Sequence, residues 1–383
     1  MIGFVFVFII AFALIGLANY YLARRIHGGF SALFPKLPFW PFLAAFILLS
    51  LSIPLGFIKT ALPSFLGSFF GAVFGYWLGI FIYLLIFTLL SDGVVLILRA
   101  CRSSLLEKAI YKAVSLAVVL LLTLSVSIYG FINARQIDIV HYDITLEGKT
   151  DISDMNIVLL SDLHLGAVGS ESRLPVIVDE INAQKPDLVL IAGDFFDTDY
   201  RSISNPEAAM AEFKRIESTY GIYTCLGNHD AGETLGEMLK FLEGCGIHAL
   251  NEQSAVIDRR LILVGRLDAS PIGEMGGMER GELSSFFSRH DERMPVIVLD
   301  HNPKNINEYG READLILSGH THEGQIFPAN IITELLYSVD HGYYRQSAES
   351  PQVIVTSGIG YWGMPMRVGT DSELVIIKIS SRN

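Results

Sequence analysis

Four stretches in the first third of the chain carry no charged residue: 1–23, 37–58, 60–91 and 113–134. Each is long enough to cross the hydrocarbon core of a bilayer, which takes about 20 apolar residues as a helix. A Lys, Arg or Asp at the centre of such a span costs about 2.5–3.5 kcal/mol, and the centres here have none. Buried helices of a soluble core are a poor alternative, because four Leu-, Ile- and Phe-rich runs in succession would leave a large apolar surface in water. Run 1–23 lacks the basic lead-in and small-residue cleavage site of a signal peptide, so it is expected to stay as a helix. Run 60–91 is the longest. Asp92 follows it, and apolar character resumes over 94–98 before Arg99. The third helix is therefore expected to be long and tilted, with Asp92 near one end as a solvated, bundle-facing or functional acid.

Charge divides the chain near Arg135. Residues 1–135 hold nine Lys/Arg against two Asp/Glu, a net of +7, and residues 136–383 hold nineteen against thirty-eight, a net of −19. A segment that acidic repels nucleic acid, so no nucleic-acid partner is expected. Of the three cysteines, Cys101 falls in a basic loop, while Cys225 and Cys245 allow a bridge that no framework of further cysteines supports. The expected organisation is a transmembrane domain of four helices over 1–135 and a second domain over 136–383.

The second domain alternates two periodicities. Short apolar runs at 156–160, 187–191, 222–226, 295–299 and 314–317 read as strands buried on both faces. Amphipathic stretches at 174–183, 206–218 and 234–242 read as helices between them. Segments 255–258 and 261–264 form a hairpin candidate about Arg259-Arg260, and 352–355 and 374–379 close the chain as strands. The fold class is layered α/β, with central sheet structure flanked by helices.

Each of the five buried-strand candidates runs into a polar motif. These are Ser161-Asp162-Leu163-His164, Gly193-Asp194-Phe195-Phe196-Asp197, Gly227-Asn228-His229-Asp230, Asp300-His301-Asn302-Pro303 and Gly319-His320-Thr321-His322. Sites in open α/β sheets form at the carboxyl ends of strands, so five neighbouring strands would bring the motifs to one rim. Carboxylate, imidazole and amide oxygen without thiolate favour divalent Mn, Fe or Zn. In Asp-x-His the alternate side chains of a strand end point the same way. A carboxylate such as Asp194 can bridge two ions about 3.5–4 Å apart. Gly193, Gly227 and Gly319 are expected to let the backbone turn sharply beside the ions. His27, His141, His248, His290 and His341 belong to no motif and read as surface or core histidines.

Taken in order, the five motifs resemble the calcineurin-like metallophosphoesterase superfamily, whose pattern is Asp-x-His, Gly-Asp-x-x-Asp, Gly-Asn-His-Asp/Glu, His and Gly-His-x-His. The resemblance spans roughly residues 150–330, and the leading apolar runs resemble its membrane-associated branch. It implies one ion held by Asp162, His164, Asp194 and His322, and a second held by Asp194, Asn228, His301 and His320. It further implies that His229 protonates the leaving oxygen and that Asp197 orients His229, since an imidazole needs its tautomer fixed. One position departs from the pattern: members of the membrane branch often have Gly after the second His of Gly-His-x-His, and here it is Glu323. That carboxylate either narrows the pocket or points outward. The glycine-rich stretch 358–363 can line the pocket, leaving Arg367 as a phosphate contact or a solvated side chain.

The resulting expectation is hydrolysis of a phosphomonoester or phosphodiester at or near a membrane, with a lipid-linked pyrophosphatase acting on a UDP-diacylglucosamine-type substrate as the narrower version. A non-catalytic metal scaffold would predict loss of Asn228 or His229, and both are present. A transporter would need polar residues within the spans. Short-loop basic residues mark the cytoplasmic side. Arg24, Arg25 and Lys36 follow span one, and Arg99, Arg102, Lys108 and Lys112 follow span three, against only Lys59 after span two. The N-terminus and the second domain are therefore expected on the extracytoplasmic side.

Overall fold

The computed structural model describes residues 2–57, 59–62, 64–104, 109–147, 152, 155–282, 286 and 294–382. Lys108 and His290 lie outside the described residues. The chain forms two compact units, Met1–Phe131 and Ile132–Asn383.

The first unit is helical: α1 (Ile2–Ser31), α2 (Trp40–Ser50), α3 (Ser52–Phe57), α4 (Ser64–Ala100) and α5 (Ala109–Asn133), the last running into the second unit. Among the described residues, two helical stretches, Phe65–Ala100 and Ile110–Asn133, are long and apolar enough to cross a membrane. The second expected span is a shorter apolar segment, Trp40–Gly56, broken at Leu51 into α2 and α3. The third is one continuous helix of 37 residues, roughly 55 Å at the α-helical rise. That exceeds a bilayer core of about 30 Å and carries Asp92 in its last third. Leu22, Phe46, Phe81, Leu84 and Val119 form the unit's core. A buried polar relay crosses it: Trp77 Nε1 donates to Ser50 Oγ (3.1 Å), which donates to Asn19 Oδ1 (2.8 Å). Such hydrogen bonds between helices join apolar segments where little hydrophobic difference exists to do so.

The second unit contains two six-stranded sheets. The first has the order β1 (Asp138–Glu147), β12 (Glu373–Arg382), β2 (Met155–Leu160), β3 (Leu188–Ala192), β4 (Ile222–Cys225), β5 (Ile247–Ala249). The second has the order β10 (Gly342–Tyr344), β11 (Gln352–Val355), β9 (Leu315–Ser318), β8 (Val296–Leu299), β7 (Leu261–Gly265), β6 (Gln253–Ile257). The five motif-bearing strands are therefore split, β2, β3 and β4 in one sheet and β8 and β9 in the other. This corrects the expectation of five neighbours in one sheet. Continuous apolar runs look alike whether a strand's two faces meet helices or a second sheet.

The period of two along each strand explains the layering. Ile157, Leu159, Leu188 and Leu190 meet Leu263, Ile297, Leu299 and Leu317 in a core shared by the two sheets. Their alternates Val158, Leu160, Val189 and Ile191 pack outward against α6 (Leu174–Ala183), α7 (Pro206–Phe213) and α8 (Leu235–Gly244) through Ile177, Ile181, Phe213, Met238 and Phe241. Ile262, Val264, Val298, Ile316 and Val353 form a third core on the outer side of the second sheet. Helix α7 stops at Phe213, short of the 218 expected. The β6–β7 turn forms where expected, with Asp258 (φ 49°) and Arg259 (φ 57°) in the left-handed pair of a primed hairpin turn. Cys225 and Cys245 are free thiols, on opposite faces of the first sheet in separate cores, so no bridge joins them.

Candidate dinuclear metal centre

The parallel pairs β2–β3, β3–β4 and β8–β9 end on the same edge. Hydrogen bonds tie strand ends together within each sheet, and one contact crosses from the second sheet to the first. Asp162 N–H donates to Gly193 O (3.0 Å), Gly319 N–H donates to His301 O (3.0 Å), and His301 Nδ1 lies 2.7 Å from Ala192 O. With Nδ1 committed to a carbonyl, His301 keeps Nε2 free for another partner.

All seven expected ligands converge there. Asp162, His164 and His322 form one cluster of mutually close ligand atoms, and Asp194, His301 and His320 form another. Asn228 Oδ1 joins the second, 2.8 Å from His320 Nδ1 and 3.2 Å from His301 Nε2. Asp194 Oδ2 stands between the clusters, 3.1 Å from His301 Nε2 and 3.8 Å from His164 Nε2. Its other oxygen accepts the His229 backbone N–H at 2.9 Å, which fixes the carboxylate's rotation.

The electrostatics match what cations require. Nε2 of His164 and Nε2 of His322 face each other at 3.1 Å. Burial, reinforced by neighbouring cationic groups, pushes His164 down to about 3 and His322 well below its ordinary range. Burial likewise pushes His320 down to about 3. These imidazoles are neutral and offer lone pairs at neutral pH. Burial alone would raise Asp194, but the charge and hydrogen bond of His301 outweigh it and hold the carboxyl well below its usual range. His301 responds in kind: burial works against its proton, but Asp194 raises it well above the usual imidazole value. Burial pushes Asp162 up to about 6. Buried lone pairs and carboxylates aimed at two common points form a donor set suited to divalent cations.

The backbone accepts strain to achieve this. Asp162, His164, Asp194, His320 and His322 all have φ between 46° and 73°. Each such non-glycine residue costs of order 1–3 kcal/mol, a cost found mainly at functional sites. Of the three expected turning glycines, only Gly193 (φ 79°) needs its conformation. Gly227 and Gly319 instead provide space, because a Cβ would collide with Asp194 at the first and with Ser161 and Asp162 at the second.

His229 presents its ring edge-on to His164, centroids 4.9 Å apart, and its Nδ1 lies 2.7 Å from Thr198 Oγ1. Its distances also admit it to a group with His164 and Asp194. Asp197, expected to orient His229, has its carboxylate 3.8 Å from His164 Nδ1. Thr198 is the group the sequence reading missed. It directly follows the Gly-Asp-x-x-Asp motif, and its φ of 85° is an outlier for a β-branched residue that aims the hydroxyl at His229. Asp230 was also missed as a scaffold: it accepts the backbone N–H groups of Phe195, Phe196 and Gly227, tying the β3 and β4 loops together.

Arg367 is neither a phosphate contact nor solvated. It is fully buried, and Nη2 donates to the carbonyls of Ser357 (2.7 Å), Gly360 (2.8 Å) and Gly358 (3.0 Å). It holds the glycine-rich loop against Asp162, while burial pushes its guanidinium down to about 10. Trp362 of that loop lies 6.2 Å from the His229 ring, half-exposed. Glu323 sits at φ 50°, 3.8 Å from His341 Nδ1, and His341 Nε2 is bonded to Glu373 at 2.7 Å. A left-handed backbone at 323 explains why glycine suits that position.

Comparison with known proteins agrees with this geometry. Residues 155–324 match the profile of the calcineurin-like phosphoesterase family. A metallophosphoesterase of Campylobacter jejuni is 33% identical over 234 residues, 60% of this chain and 60% of that protein. The transmembrane protein with metallophosphoesterase domain of Danio rerio is 32% identical over 274 residues, 67% of this chain and 61% of that protein. A metallophosphoesterase of Aquifex aeolicus is 28% identical over 255 residues and is 96% covered. The chain spans about three-fifths of the length of the first two relatives. The ordered motifs, their convergence and the profile match together assign residues 155–324 to the calcineurin-like phosphoesterase family.

Proposed function

We propose that this chain is a membrane-anchored, dinuclear phosphoesterase that cleaves a phosphomonoester or phosphodiester. The observation that carries the reading is Asp194 Oδ2 standing between two ligand clusters, Asp162/His164/His322 and Asn228/His301/His320. Divalent ions such as Mn, Fe or Zn bound there would supply Lewis acidity toward the phosphoryl oxygens and acidify a water. His229 donates a proton from Nε2 to the leaving oxygen, its Nδ1 being engaged by Thr198. A non-catalytic scaffold is disfavoured, since Asn228 and His229 are both present and positioned. The full-length protein should hydrolyse an aryl phosphodiester, lose that activity to a chelator and regain it with added Mn, Fe or Zn. Undiminished turnover in excess chelator would overturn the reading.

A lipid-linked substrate is favoured by one feature. Helix α9 (Ala329–Leu336) follows the segment bearing His320 and His322, and it presents Ile331, Ile332, Leu335 and Leu336 to solvent. Tyr337, at its end, has its ring 6.3 Å from that of His320. An exposed apolar face beside a phosphoesterase site suits an acyl chain. The four charge-free runs favour four spans, and with that number the excess of basic residues after spans one and three favours an extracytoplasmic catalytic unit. With alkaline phosphatase or green fluorescent protein fused after Asn383, the former should be active and the latter dark. The reverse pattern places the site in the cytoplasm and favours the UDP-diacylglucosamine-type pyrophosphatase.

A further inference from the structure

Four of the basic residues counted above as topology signals lie on helices. Arg24 and Arg25 lie on α1, Arg99 lies on the last turn of α4, and Lys112 lies on the first turn of α5. The helical unit folds these four cations around one cavity of about 380 Å³. Their balance is uneven. Asp92 pairs with Arg25 and accepts the Tyr21 hydroxyl at 2.8 Å. Among the described residues, Arg24, Arg99 and Lys112 have no carboxylate partner, and the unit's other acid, Glu107, lies outside them. Ser91 and Ser115 add hydroxyls 2.7 Å apart in the cavity wall, while Leu116 and Val119 make part of the wall apolar.

Three cations without a carboxylate partner among the described residues, small hydroxyls and an apolar wall between helices are the elements that recognise a phosphate group, especially one on an amphiphile. A cavity of this volume lies within the range of small-ligand sites. Mutual repulsion among cations held around one space is relieved when an anion enters. We infer that this cavity binds a phosphate-bearing anion, as a lipid headgroup or as free phosphate, at a site separate from the metal centre. The inference does not rest on the phosphoesterase reading.

The test uses the full-length protein in uncharged detergent with chelator present, so that the metal centre does not compete. Short-chain phosphatidylglycerol, short-chain phosphatidylcholine and inorganic phosphate are titrated separately, and bound adducts are counted by native mass spectrometry. Phosphatidylglycerol should bind at least about tenfold more tightly than phosphatidylcholine, and raising salt should weaken it. The pair Arg99→Gln with Lys112→Gln should weaken binding at least about tenfold, through loss of two charge-assisted contacts. The charge-keeping pair Arg99→Lys with Lys112→Arg should stay near wild type. Asp92→Asn frees Arg25 and should tighten binding, a gain that misfolding does not mimic. Phosphate binding with the same variant pattern identifies the bare anion as sufficient, and lipid binding alone identifies the headgroup. Binding of neither probe, equal affinity in the Gln pair and wild type, or equal loss in both pairs would overturn the inference.

Discussion

The two units treat charge in opposite ways. The unit Ile132–Asn383 takes Asp162, His164, Asp194, His301 and His322 almost wholly out of water and holds them in contact. The unit Met1–Phe131 keeps its described charges near helix ends, four of them around an open cavity. Backbone strain follows the same division. Five metal-site residues and Glu323 are left-handed, whereas Arg102 alone is so among the described non-glycine residues of the helical unit. Desolvating a charge costs several kcal/mol unless partners replace the water. In the second unit the buried groups are each other's partners, whereas the helical unit offers few, Asp92 to Arg25 and Tyr21 among them.

The sharpest way to break this contrast is to remove the shared carboxylate. Asp194→Asn leaves the shape and deletes the charge between the clusters. It should lower bound metal below two equivalents by elemental analysis. Turnover should fall on the order of 10³-fold or more, since several kcal/mol of charge stabilisation depends on it. Asp92→Asn, the corresponding change in the helical unit, should leave metal content and turnover unchanged. Equal effects of the two substitutions would erase the distinction.

Next in size is the proton donor. His229→Gln should keep about two ions and lose on the order of 10²–10⁴ in rate with a poor leaving group. Loss of an ion instead would make His229 a ligand, as its proximity to His164 and Asp194 permits. Thr198→Val removes a hydrogen bond worth about 0.5–1.5 kcal/mol and should cost roughly 2–12-fold. It should also shift the pH–rate profile, with Thr198→Ser restoring both. A profile unchanged in the Val variant removes Thr198 from proton transfer.

These residues also show what the sequence could carry. Asp162, His164 and His322 were legible because each follows an apolar run in a fixed order, and strand ends are where sites form. The hairpin at Arg259 and the helices at 174–183 and 235–244 were legible from periodicity. The division of five strands between two sheets was not, because residue pattern records that a face is buried and not what covers it. Thr198 escaped for a related reason: its role comes from a φ of 85°, which no residue type announces. Arg367 was misjudged because a charged residue in a glycine-rich loop reads as surface, whereas three backbone carbonyls replace its water. The break at Leu51 and the basic cavity depend on packing between helices, which uncharged runs leave unspecified.

A smaller effect should appear in metal affinity as pH changes. Burial places Asp162 at about 6 in the metal-free site, and Asp194 raises His301 well above the usual imidazole value. Both must release protons to act as ligands. Below about pH 6 each proton displaced costs roughly tenfold in affinity per pH unit. From pH 5 to 6 both groups contribute, and above 6 only His301 continues. Affinity measured against a chelating indicator should therefore rise steeply with pH to about 6 and more gently beyond it. An affinity independent of pH would mean that the ligand cluster is not held as described.

The smallest effect tests whether strain itself, and not charge, is the cost of the catalytic unit's arrangement. Glu323 is left-handed (φ 50°, ψ 35°) immediately after His322. That conformation costs a side-chain-bearing residue about 1–2 kcal/mol. Glycine avoids the penalty but loses about 0.5–1 kcal/mol in chain entropy. The contact of Glu323 with His341, 3.8 Å and partly exposed, is worth about 0–1 kcal/mol. Glu323→Gly should thus stabilise the unit by at most about 1.5 kcal/mol, a rise of at most about 6 °C in its unfolding midpoint for a unit of this size. Glu323→Ala keeps the strain and loses the carboxylate, so it should be no more stable than the parent chain. The order Gly above Glu, with Ala at or below Glu, assigns the cost to the backbone. If Ala matches Gly, the carboxylate was the unfavourable element, and the left-handed turn beside the second metal-site histidine costs the fold nothing measurable.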